Sequence, residues 1–456
     1  MRYLPHTEAD IAEMLKTVGV KDLDGLFAHI PENASRTRPL DLPDPMTEWE
    51  LRTHMEKLAQ NAGGNWKTFA HAGSQPHYIP GMVPYLASRS EFLTSYTPYQ
   101  PEMTQGTLQA IFEFQTLIGR LVGLEVTNAS MYDGSTAMAE AALMAMRISK
   151  RRLVAVSELV HPHWREVLAT YLAPLPDIEL VTLPAGKDGK TRLDNLGAQP
   201  AVLIMQSPNF MGVIEDLAKA AEAVHSAGGL LAAGFSEPFA LGLIKKPGEQ
   251  GADIVFGEAQ SLGLAQGFGG PTLGLLSCKM DHVRQIPGRL VGRTKDVDGK
   301  DGFVLTLSTR EQHIRRSRAV SNICSNAGHC ALTCAMFMAS IGGSGFRQTA
   351  QVNLDLAAYF KKGLEKIGFI PLNSSPHFNE FAMYAPAGFE AAHDKLKADK
   401  ILAGLPLAIW RENLPGIENI DRAWLFGVTE TSTTSEIDAL LENIRDSLLT
   451  TTGKGA

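Results

Sequence analysis

Two spacings of apolar residues alternate along the middle of the chain. Leu108 to Leu121 repeats apolar positions at helical spacing, as does the alanine- and methionine-rich run 136–148. Short, largely apolar runs then recur at Leu153–Ser157, Glu179–Leu183, Ala201–Gln206, Leu230–Phe235, Asp253–Phe256 and Leu273–Ser277. Helical stretches at 162–172, 216–227 and 239–244 separate them. Strands apolar on both faces, with helices between them, predict a large, mostly parallel sheet covered on each side: an α/β fold.

The flanks read differently. Thr7-Glu8-Ala9-Asp10 and Asp44-Pro-Met-Thr each begin a helix near the amino terminus. Residues 61–106 crowd Gly, Pro, His and Tyr together, an irregular stretch whose length points to function or to a partner's support. After Thr309 a helical connector runs through 327–341, stops at Gly342-Gly343-Ser344-Gly345 and resumes at about 346–367. Phe378–Tyr384, Ile401–Ala403 and Trp424–Thr429 read as short strands, and Thr434–Leu449 as an amphipathic helix. The expected organisation is an N-terminal helical segment and irregular arm (1–106), a large α/β domain (107–308), a helical connector (309–345) and a small C-terminal α/β domain (346–456).

Composition narrows the class of function. With 44% hydrophobic and 20% charged residues among 456, the chain has ordinary globular composition. A net charge of −7 disfavours a nucleic-acid surface, and no apolar run is long enough to cross a bilayer. The first residues lack the pattern of a secretory signal, so the expected location is the cytoplasm. Cys278, Cys324, Cys330 and Cys334 are too few for a disulfide framework. The last three lie near His329, but without a paired Cys-x-x-Cys they read as buried small hydrophobes and no metal is expected.

Several positions could carry chemistry. Gly134, Ser135 and Thr136 open a helix, where backbone N–H groups and hydroxyls suit a phosphate, although such residues also serve simply as caps. His161 follows a strand, at the edge where open α/β sheets bind ligands, and could stack on a flat ring; the nearby His163 is weaker. Glu237 also follows a strand and could pair with a protonated pyridine nitrogen, or merely begin the next turn. Gln260 stands between a strand and the glycine-rich run Gly267–Pro271, a setting that asks for a Schiff-base lysine, whose amine an amide cannot replace. Lys279, Lys245 and Lys246 lack such a setting. Arg315 and Arg318, three apart, are expected to share a helix face.

These stretches resemble one family closely. Tyr96-Thr-Pro-Tyr-Gln-Pro-Glu-Met-Thr-Gln-Gly, Asn128-Ala-Ser-Met-Tyr-Asp-Gly-Ser-Thr-Ala, Gly257-Glu-Ala-Gln-Ser-Leu-Gly, Phe268-Gly-Gly-Pro and Arg310-Glu-Gln-His-Ile-Arg-Arg all take part. The chain is similar to the P-protein of the glycine cleavage system, in its split form to the amino-terminal half, subunit 1 of glycine dehydrogenase (decarboxylating). The resemblance implies a fold-type I architecture of enzymes using pyridoxal phosphate (PLP). It also implies a heterotetramer of two such chains with two copies of subunit 2. That complex would decarboxylate glycine and pass the aminomethyl group to lipoylated H-protein.

In that family the cofactor lysine belongs to subunit 2, nine residues before the first glycine of Gly-Gly-Pro, the interval that separates Gln260 from Gly269 here. By resemblance Gly134, Ser135 and Thr136 hold the phosphate-loop positions, His161 the ring-stacking position and Glu237 the aspartate position. With Gln260 these are vestigial candidates. No catalytic residue is expected on this chain, which alone would be inactive, and PLP is expected on subunit 2. A self-contained PLP enzyme and a stand-alone regulatory pseudoenzyme are the alternatives.

Overall fold

The computed structural model describes residues 5–34, 40–61, 66–94, 97–267, 269–323 and 327–452. Tyr96, Phe268 and Cys324, all named above, lie outside the described residues. The chain forms two compact units, Met1–Asn65 and Trp66–Ala456. The first contains α1 (Glu8–Val18) and α2 (Glu48–Asn61). Thr7 and Asp10 close a reciprocal capping box on α1, which ends in the left-handed Gly19.

The second unit begins with β1 (Lys67–Thr68), α3 (Met82–Ala87), α4 (Ser90–Leu93) and α5 (Gln105–Val122). Next come β2 (Val126–Thr127), α6 (Gly134–Ser149), β3 (Leu153–Ser157), α7 (Pro162–Leu172), β4 (Glu179–Leu183), β5 (Val202–Gln206), α8 (Leu217–Ser226), β6 (Leu230–Phe235), β7 (Ile254–Glu258) and β8 (Gly274–Cys278). They build a seven-stranded sheet in the order β2-β8-β7-β6-β5-β3-β4. Strands β3 to β7 are mutually parallel, while β8 runs antiparallel to β7 and β2 runs antiparallel to β8 at the edge.

Alternation along the central strands explains the apolar runs. Ala155, Leu203, Ala233 and Val255 face one core with α5 and α8, whereas Val156, Ile204, Ala232 and Ile254 face another with α6 and α7. Both faces are covered, so neither can be polar. The 239–244 stretch is a tight 3₁₀ turn, Pro238–Gly242, rather than an α-helix, because five residues are too few for sustained i to i+4 pairing.

The chain continues through an antiparallel hairpin, β9 (Leu290–Lys295) and β10 (Asp301–Thr306), which the apolar spacing does not predict. Its turn contains Asp298-Gly299, an available hairpin signal. α9 (Gln312–Arg315) ends where Arg316 takes a positive φ of 51°, so Arg315 and Arg318 do not share one helix face. Arg310, from the same basic segment, is buried and donates to the carbonyls of Ile286 and Gly288.

α10 (Gly328–Lys366) is interrupted at Gly342, whose φ of 61° and ψ of 174° are not helical, so two helical segments meet there at a kink, as the glycine run predicts. The remaining elements are β11 (Ile370–Pro371), β12 (Glu380–Tyr384), α11 (Phe389–Ala398), β13 (Ile401–Leu402), β14 (Leu405–Pro406), β15 (Ala423–Gly427) and α12 (Thr434–Thr452). A four-stranded antiparallel sheet, β11-β12-β15-β14, packs Phe381 and Phe426 against Phe360 of α10, Phe389 of α11 and Ile437 of α12. Its other face packs Ala382 and Leu425 with Leu159 and Phe210 from loops beside the large sheet. β1 pairs with β13, which carries the following residues toward both sheets.

Candidate functional site

The carboxyl ends of the parallel strands converge, and three of the candidate positions lie just past them. His161 follows β3, Glu237 follows β6 and Gln260 follows β7, while Gly134 to Thr136 form the first turn of α6. Open α/β sheets bind ligands at this edge because loops there turn away in different directions and leave a crevice.

At the α6 terminus the cap is Asp133. Its carboxylate accepts from the Thr136 N–H at 2.9 Å and from the Ser135 hydroxyl at 2.5 Å. Gly134 points its N–H at Glu258 Oε2, 3.0 Å away. A side chain on Gly134 would lie 2.5 Å from the Trp164 ring, so only glycine permits this approach. Glu258 also accepts from the N–H groups of Ala259, Gln260 and Leu273 at 3.0–3.1 Å. Burial raises its pKa to about 7 against those backbone bonds. The sequence signal for Glu258, absent from the candidates above, is an acid closing an apolar strand two residues before Gln260.

Gln260 is 4% exposed and both ends of its amide are engaged. Nε2 donates to the Leu264 carbonyl at 2.7 Å, and Oε1 accepts from the Gln75 N–H at 3.2 Å. Gln75 belongs to a strap, Ala70–His77, that crosses the crevice. Its side chain is completely buried; Nε2 donates to Glu380 Oε2 at 3.2 Å and Oε1 accepts from Asn379 Nδ2. Glu380 also accepts from the Ala72 N–H at 2.8 Å, and burial lifts its pKa to about 7.

The strap lies directly on His161. The imidazole Nε2–H donates to the Ala72 carbonyl at 2.9 Å, and burial lowers the ring's pKa to about 4, against that bond. Gly73, at φ +95°, comes so close that a Cβ would stand 2.9 Å from His161 Cδ2. Phe210 meets the ring edge-on, with centroids 5.0 Å apart.

Glu237 is held by three donors: His77 Nε2 at 2.9 Å, the Ser261 hydroxyl at 3.1 Å and the Phe239 N–H at 2.8 Å. The opposite nitrogen of His77, Nδ1, reaches Glu430 Oε2 at 2.9 Å. With a carboxylate at each nitrogen both must donate, so the ring is an imidazolium. Burial opposes that charge, but Glu237 and Glu430 outweigh it and hold the pKa up at about 9. His77, Gln75, Glu380 and Glu430 were not found from the sequence. They are far apart in the chain, and the crowding of Gly, Pro, His and Tyr in 61–106 marked only the segment that holds Gln75 and His77.

The other lysines are elsewhere. Lys279 follows the end of β8, opposite the start of β7, and pairs with Asp253 at 2.5 Å. Lys246 faces Glu249 at 3.4 Å. Cys278, Cys330 and Cys334 are buried free thiols, and the described residues contain no cluster of metal-ligating side chains. No described helix is long and apolar enough to cross a membrane.

A model of the family described as Glycine cleavage system P-protein matches residues 1–444. The chain belongs to this family. It is 49% identical to a probable glycine dehydrogenase (decarboxylating) subunit 1 of Desulfotalea psychrophila, covering 98% of each chain. A protein of the same description from Caulobacter vibrioides is 44% identical over 95% of this chain and 96% of that one. Among solved structures, an inhibitor-bound glycine decarboxylase (P-protein) of the glycine cleavage system superposes with a TM-score of 0.87 at 44% identity, covering 98% of this chain and 100% of that chain. A sphingosine-1-phosphate lyase superposes at 0.66 with 13% identity, a likeness of fold alone. The P-protein fold is thus the fold-type I architecture of PLP-dependent enzymes.

PLP does not fit the residues of this crevice. Position 260 offers no amine, the Gly134 N–H is committed to a carboxylate, His161 is covered by Gly73, and Glu237 is committed to His77.

Proposed function

We propose that this chain is the non-catalytic subunit of a glycine-decarboxylating P-protein. In this reading it assembles as two copies with two of a subunit 2 that carries PLP. It completes and shields that subunit's site, where glycine loses carbon dioxide and its aminomethyl group passes to lipoylated H-protein. The complex would work in the cytoplasm, and this chain alone would be inactive. Gly134, Ser135, Thr136, His161 and Glu237 are then vestiges of a cofactor site that keep structural duties.

The observation that carries the proposal is Gln260. It is a buried amide with both ends bonded, at the lysine position of a chain that matches the P-protein family over nearly its whole length. A chain without that amine cannot supply the nucleophile, so the chemistry must come from a partner.

The test is exchange of the glycine carboxyl group with bicarbonate, measured with H-protein present, for each subunit alone and for the mixture. Exchange is expected only after mixing. Turnover by this chain alone would overturn the proposal.

A further inference from the structure

The crevice is filled by the protein itself. Glu258 gathers the N–H groups of Gly134, Ala259, Gln260 and Leu273 around one carboxylate, the arrangement by which a helix start and adjoining loops hold a phosphate. The strap Ala70–His77 lies on His161 and engages Gln260 and Glu237 from the large sheet. Its other bonds reach Glu380, Asn379, Thr429 and Glu430 of the C-terminal part.

We propose that Glu258 and the strap are resident occupants of the former cofactor pocket. Glu258 stands in for the phosphate and the strap for the ring, and their bonds hold the large and C-terminal sheets in one fixed arrangement. This goes beyond the glycine-decarboxylating reading and rests only on its view of the crevice as a vestigial cofactor site.

The bonding is two-sided. Gln75 donates its N–H to Gln260 while its side chain reaches Glu380 and Asn379. His77 spans from Glu237 to Glu430 in the same way. The Thr429 hydroxyl donates to the Pro76 carbonyl at 2.6 Å, and β15 contributes the Gly427 N–H to the Phe69 carbonyl at 2.9 Å. No sliding of one sheet over the other is available without breaking these bonds together.

Two measurements test the proposal on the full-length chain. In hydrogen exchange followed by mass spectrometry, peptides from 69–78 should exchange as slowly as β12 and β15. Equilibrium dialysis against pyridoxine 5′-phosphate, which lacks the aldehyde and so cannot decorate surface lysines, should show no saturable site. Fast exchange of the strap, or one equivalent of ligand bound to the unmodified chain, overturns the proposal.

The Glu258→Ala variant then isolates the anion. Inorganic phosphate should raise its Tm by about 2 °C or more over chloride at equal ionic strength, with no such difference in the unmodified chain. A folded Glu258→Ala protein indifferent to phosphate rules out Glu258 as the phosphate's stand-in. If the variant does not fold, exchange and dialysis on the unmodified chain still decide.

Discussion

Restoring the missing lysine with Gln260→Lys should damage the protein rather than awaken it. The substitution removes Oε1, the acceptor for the Gln75 N–H. A buried donor left unpaired costs about 1–3 kcal/mol. The new amine can still donate to the Leu264 carbonyl, but position 260 is only 4% exposed. There an ammonium must stay charged out of water or give up its proton. Lowering a lysine pKa by about three units to do so costs about 4 kcal/mol. Partial relaxation of the strap reduces the combined penalty, leaving an expected loss of about 3–5 kcal/mol. Urea unfolding of the variant and the unmodified chain measures this directly. In parallel, incubation with PLP, borohydride reduction and peptide mapping would reveal any cofactor fixed at residue 260. A variant as stable as the parent that also carries reduced cofactor at that residue would refute the reasoning, because the crevice would then be open.

The His77 bridge makes stability depend on alkaline pH. The ring titrates at 6.5 in the unfolded chain and at about 9 when folded, so its contribution is complete below 6.5 and disappears as pH rises through 9. The ceiling is about 3 kcal/mol, and His77→Gln should flatten that limb of a urea-midpoint profile; an identical profile in the variant would contradict it. Glu258 and Glu380 act in the same direction in a lower window, contributing stability that is full below 4.5 and lost as pH rises through about 7. Gly73→Val combines a residue at φ +95° with a Cβ 2.9 Å from His161. It should destabilise by about 2–4 kcal/mol, and an unchanged Tm would show that the strap does not press on His161.

Local pattern was enough for most of the scaffold. The strands at Leu153–Ser157, Glu179–Leu183 and Leu230–Phe235 and the helix at 162–172 occur at the bounds their apolar spacing predicts. Burial on both faces leaves that signal in β3 and β6, whereas β4, at the sheet edge, buries only Leu183. Elements whose form depends on neighbours were less legible. β9 and β10 are only partly buried, so their apolar alternation is faint.

The site divides in the same way. Sequence alone determined that position 260 has no amine, and that His161 and Glu237 follow strands at the ligand edge of an α/β sheet. Those are facts of residue identity and local order. Only the tertiary structure decided what surrounds them. Gln75 and Gln260 are 185 residues apart, Gln75 and Glu380 are 305, and His77 and Glu430 are 353. No local spacing encodes such pairs. Their proximity follows from β1 pairing with β13 and from the two sheets meeting across the strap, which turns a missing lysine into a crevice closed by its own chain.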